Sequence, residues 1–183
     1  MDFRLYYRGP LRTNGTAKEK QTLRRVFHPQ LRALWDQLPL KEQKLLLLNR
    51  EGGGAAVSLL RQEQPFTFAF LISEALGLIA ELDILFLRPQ RPGAIVNHGG
   101  DIDNRIKTLL DALRVPDASE IPSGAIPSAD EDPFHCLLEN DVLITRLAIT
   151  TDQLLDSHDP HEVVLIIHVQ VKDSGTSRFW RLF

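Results

Sequence analysis

An α+β fold in a single domain is what this sequence predicts, and three observations predict it. Segments of strand character and segments with a helical apolar period follow one another irregularly, without the strict alternation of a doubly wound sheet. The length of 183 residues suits one domain. A hydrophobic content of 43% beside 25% charged residues is that of a globular chain able to bury a core. No segment repeats another.

Residues 3–8 alternate and are rich in aromatics, a first strand ended by Gly9-Pro10. Thr13-Asn14-Gly15-Thr16 reads as a loop and 17–27 as a helix. Pro29 suits the first turn of a second helix over 29–38, with Leu31, Leu34, Trp35 and Leu38 on its apolar face. Residues 41–49 suggest another short helix, although the run Leu45 to Leu48 hides the period. Gly52-Gly53-Gly54 is a break. Residues 55–61 and 66–72 are strand candidates, and 78–87 is the clearest strand, with Glu81 and Asp83 on one face. A loop over 89–100 leads to a helix over 102–113, whose apolar face is Ile102, Ile106, Leu109, Leu110 and Leu113. Arg114-Val115-Pro116 stops it. Residues 117–133 are rich in Pro, Ser and Ala without a period, which predicts a mobile loop or a substrate-contacting flap. Residues 142–150 and 163–171 are strands. The second is so β-branched that it belongs at the centre of a sheet.

Charge is unevenly spread. The net charge is −3, but residues 1–32 carry eight bases against two acids, a net of +6, which leaves −9 for the rest. Residues 101–141 hold ten acids against Arg105, Lys107 and Arg114. A basic arm beside an acidic centre is what a metal-using nucleic-acid enzyme needs, and equally what a solvated basic helix face would show. The single cysteine, Cys136, excludes an intrachain disulfide and a cysteine-based zinc cluster; its apolar setting predicts a buried, inert thiol. No hydrophobic run is long enough to span a bilayer and the start does not look like a signal peptide, so a cytoplasmic protein without membrane association is expected.

The chemistry concentrates at Asp101-Ile102-Asp103-Asn104-Arg105-Ile106-Lys107, directly after Gly99-Gly100. Two carboxylates this close repel unless a cation lies between them; a lysine offsets this in part and a divalent metal more fully. Asp103, Lys107 and Asp111 recur at four-residue spacing and share one helix face. Asp101 or Asp103 could instead cap the helix. A second acidic group, Glu139-Asn140-Asp141, precedes a strand and offers a third ligand. Three oxygen ligands can hold one or two Mg²⁺ and leave positions for water and phosphate.

These motifs resemble the RusA-type Holliday junction resolvases, whose members share Asp-hydrophobic-Asp-Asn-x-x-Lys, a Leu-Asp-Ala-Leu helix end and a downstream acidic pair before a strand. Here Asp101 to Lys107 matches without gaps, Leu110-Asp111-Ala112-Leu113 follows, and Asn140-Asp141 stands where the family has two aspartates. The strand at 3–8 with Gly9-Pro10 also looks like the family's first strand. The resemblance implies a mixed, mostly antiparallel sheet with packed helices, a homodimer, and a Mg²⁺-dependent endonuclease that cuts branched DNA in recombination and repair. Asp101, Asp103 and Asp141 would be the metal ligands and Lys107 the lysine beside the scissile phosphate. Residues 38–65 and 115–138 read as insertions relative to that family. Arg8, Arg12, Lys18, Lys20, Arg24, Arg25 and Arg105 are the candidates for DNA phosphate contacts. The alternative is a non-catalytic nucleic-acid-binding or assembly protein that kept the fold, its acids serving as caps.

Among the remaining residues, Glu81 and Asp83 are expected to be solvent-facing or paired with arginines. Glu139 is either an extra ligand or a solvated charge. His98, three residues before Asp101, is the histidine best placed to assist the chemistry, and His168 should be core or interface. The aromatic, basic tail at 178–183 is expected to dock on its own fold.

Overall fold

Alternation makes the first strand: in β1 (Asp2–Pro10) Leu5 and Tyr7 turn inward while Arg4, Tyr6 and Arg8 face solvent. The computed structural model describes residues 1–49, 57–90 and 102–175. After β1, Thr16 caps α1 (Ala17–Trp35) with a reciprocal capping box: the Thr16 amide donates to the Glu19 carboxylate at 2.8 Å and the Glu19 amide to the Thr16 hydroxyl. The two helices expected on either side of Pro29 are therefore one. Leu23, Phe27, Leu31 and Trp35 continue a single buried stripe through the proline, and that burial outweighs the lost backbone bond.

A short helix α2 (Leu40–Leu47) follows, then β2 (Leu60–Glu63), β3 (Phe66–Ile72) and β4 (Leu78–Arg88). The helix α3 (Ile102–Leu113) has the bounds its periodicity predicts. The apolar run at Cys136 is a strand, β5 (Phe134–Leu138), too short for its period to show in the sequence. A 3₁₀ turn (Asp141–Leu143) leads into β6 (Ile144–Gln153), and β7 (Glu162–Asp173) ends the order.

Two sheets result. One runs β1-β7-β4-β6 and the other β2-β3-β5. The pairs β1–β7, β4–β7 and β2–β3 are antiparallel, while β4–β6 and β3–β5 are parallel, so the fold is a mixed α+β domain with antiparallel pairing in the majority among the described strands. As its composition predicts, β7 is central, flanked on both sides. α1 packs against β1, β5 and α3. Phe66, Phe68 and Phe134 join the second sheet's face to the core. By contrast β6 is an edge on which Leu147 and Ile149 remain exposed.

The stretch expected to be a mobile flap is instead tied down. The Arg25 guanidinium donates to the buried Glu131 carboxylate at 2.8 and 3.2 Å and to the Ile126 carbonyl at 3.0 Å, and Arg32 donates to the Asp130 carbonyl. No helix among the described residues is long and apolar enough to cross a membrane.

Candidate functional site

α3 places Asp103 in its first turn and Lys107 one turn on, both exposed. Neither makes a hydrogen bond or ion pair with any described residue, so Asp103 does not serve as a side-chain cap there. Lys107 borders a cleft of about 210 Å³ with Asn14, Gly15, Lys20, Asn104, Thr108 and Asp111. The walls are held close: the Gly15 amide donates to the Thr108 hydroxyl at 2.9 Å, and that hydroxyl donates to the Asn104 carbonyl at 3.0 Å. Asp111 does not extend the reactive face. It is buried, takes the Lys20 ammonium at 2.6 Å and Arg114 at 3.4 Å, and so ties α3 to α1. Asp101 and His98 lie outside the described residues, as does the tail at 178–183.

The third proposed ligand sits at the far end of the helix. Gln90 and Arg105 both donate to the Pro160 carbonyl, at 3.1 and 3.2 Å, which sets the start of α3 beside the end of β4. At the other end, the Val115 amide donates to the Leu138 carbonyl at 2.9 Å. Asp141 follows there and borders a cleft of about 170 Å³ with Arg61, Arg114 and Asp117, while Ile144 pairs with Ala80 near the start of β4. α3 is about 18 Å long at 1.5 Å per residue. Asp103 and Asp141 of one chain therefore do not share an ion, and among the described residues no three His, Cys, Asp or Glu side chains are grouped to hold one. Asp141 is exposed and has no partner among the described residues. Glu139 is committed elsewhere, accepting from Arg61 at 2.9 Å and from the Glu74 amide at 3.2 Å. Asn140 caps the 3₁₀ turn through the Val142 amide, so β6 starts two residues later than the sequence suggests.

The candidate phosphate contacts are mostly spent on the fold. Arg24 and Arg105 are buried. Lys20 is bound to Asp111, Arg25 to Glu131, and Arg8 to Asp156 and Glu162, both at 2.9 Å. Arg12 approaches Glu19 at 3.7 Å, and Lys18 is exposed without a partner among the described residues. Glu81 and Asp83 lie on the outer sheet face, Glu81 half-buried opposite Arg146 and Asp83 exposed opposite the half-buried His168.

Sequence reasoning missed two groups. His28 and His135 form a buried pair: the His28 Nδ1 accepts from the His135 amide at 2.8 Å, and its Nε2 donates to the Asp130 carbonyl at 2.9 Å, which fixes the neutral tautomer. Burial, with His28 adding to it, pushes His135 down to about 4. The other group is Arg88 with Arg105, at the junction of β4 and α3. In the sequence, Arg88-Pro89 marks only the end of the strand at 78–87. No family model, no curated protein and no solved structure matches this chain.

Proposed function

We propose that this chain is a Mg²⁺-dependent endonuclease acting on branched DNA such as a four-way junction, and that it works as a homodimer. The observation that carries the reading is the pair Asp103 and Lys107: a carboxylate and an ammonium one helical turn apart, both exposed and uncommitted among the described residues, with Lys107 bordering a cleft. Asp103 and the adjacent Asp101 would hold the metal. Bound Mg²⁺ supplies an activated water and offsets charge at the phosphorus. Lys107 then stands where it can neutralise a phosphate oxygen or the leaving oxygen.

Asp141 enters only through a second copy. β6 runs from the Asp141 end of the molecule to the end where α3 begins. Pairing two β6 edges antiparallel about a two-fold axis would bring Asp141 of one protomer toward Asp103 of its partner. A two-fold symmetric junction suits such an enzyme.

The test is cleavage of a synthetic four-way junction with and without Mg²⁺, beside linear duplex and single strand. Junction-selective nicking that Asp103→Asn abolishes is expected. Asp103→Asn and Asp141→Asn, each inactive alone, should regain activity when refolded together, since one site of the heterodimer keeps both aspartates. No Mg²⁺-dependent cleavage of any substrate, with junction binding intact, would leave a binding protein.

A further inference from the structure

Arg88 and Arg105 are 4% and 2% exposed, and Arg88 bears on the charge of Arg105 by direct repulsion. Among the described residues Arg105 makes a single hydrogen bond, to the Pro160 carbonyl. Four guanidinium nitrogens have no partner among the described residues: Nε and Nη2 of Arg88, and Nε and Nη1 of Arg105. No acid among the described residues pairs with either. The carboxylates of the neighbouring connection are committed, Asp156 and Glu162 to Arg8 and Asp159 to the His161 amide.

The chain treats its other buried guanidinium differently. Burial lowers Arg24 too and its Nε lacks a partner among the described residues, but it donates to Gln21 and to the Asp111 carbonyl, and the charges of Glu120 and Asp111 support it. Two buried like charges without a counter-ion are among the most costly arrangements a protein interior can hold. Such orphaned donors call for an ion that completes them. They sit at the end of β4 beside the N-terminal half of α3, where the helix dipole also favours negative charge.

We propose that Arg88 and Arg105 together form a phosphate-binding site that holds a strand phosphate of the nucleic acid next to the first turn of α3. Paired guanidinium forks match the geometry of phosphate oxygens, which points to phosphate rather than a spherical anion. The identity of the carrier rests on the nucleic-acid reading above; the anion site itself does not.

The test uses the full chain in EDTA, so that cleavage plays no part. Inorganic phosphate is compared with chloride at equal ionic strength by thermal melting. A labelled short DNA strand is titrated by anisotropy over a salt series. Phosphate should raise the melting temperature of the parent chain but not of Arg88→Met or Arg105→Met. Each variant should weaken DNA binding roughly tenfold and reduce the salt slope by about one. Should a methionine variant fail to fold, Arg88→Lys and Arg105→Lys keep the charge and lose the fork, and the phosphate response should still shrink. A phosphate response lost in the variants with DNA affinity unchanged would assign the site to free phosphate and overturn the strand assignment. Folded variants with no change in either measurement, or a parent chain indifferent to phosphate, would overturn the site altogether. Phosphate and DNA binding without Mg²⁺-dependent cleavage would remove the nuclease reading and leave this one standing.

Discussion

One methyl group governs how the loop before α1 meets α3. A Cβ on Gly15 would lie 2.5 Å from Cγ2 of Thr108, inside any real contact. Gly15→Ala should therefore cost about 1–3 kcal/mol, the usual range for overpacking. Adding Thr108→Ser, which removes Cγ2 and keeps the hydroxyl, should recover most of it; urea midpoints of the parent chain and the two variants decide this. Asp111→Ala would take the buried carboxylate from Lys20 and Arg114, which keep Glu120 at 3.7 and 2.9 Å, and should cost about 1–3 kcal/mol. Lys107→Met should leave stability within about 0.5 kcal/mol, since the side chain is exposed and unpaired among the described residues, yet lower junction cleavage roughly 100-fold or more if it faces the scissile phosphate. Loss of stability with cleavage intact would reverse the roles given to this lysine.

At the scale of elements, what the sequence shows is periodicity, and what it hides is partnership. The bounds of α3 follow from Ile102, Ile106, Leu109 and Leu113 alone, and β1, β3, β4 and β7 from alternation or β-branching. Pro29 misleads because a local rule meets a longer apolar stripe. The stretch at 117–133 misleads because a period-free segment can still be anchored by residues a hundred positions away, as Arg25 anchors Glu131. For the site, the motif gives Asp103 and Lys107 their common face. The distance between Asp103 and Asp141 depends on the direction of α3 between the ends of β4, which no local pattern encodes. Arg25→Ala, leaving the buried Glu131 carboxylate with only the Ser128 amide and no counter-ion, should cost about 1–3 kcal/mol and make 121–131 the first site of limited proteolysis. An unchanged cleavage pattern would mean that the loop is held by Ile121 and Ala125 instead.

For the whole molecule, the histidine pair sets how stability responds to acid. Burial depresses both His28 and His135, the latter to about 4, so the fold holds them neutral. The unfolded chain binds more protons below about pH 6.5. Their contribution is complete above that value and drains away as pH falls toward about 4, by about 3 kcal/mol for His135. Urea midpoints between pH 7.5 and 4.5 should trace this loss, and His135→Phe should flatten it. A different consequence follows from the pairing of β1 with β7. The first strand is hydrogen-bonded along its whole length to residues 162–170, and the Val171 amide donates to the Met1 carbonyl. The central strand of the larger sheet is thus the last of the described strands to be synthesised. At about 5–20 residues per second, β1 waits roughly 8–30 s for its partner. From its own synthesis until then, β4 lacks the same neighbour. Cooperative closure must come after synthesis of β7, and the nascent chain depends on whatever shields two bare strand edges until then.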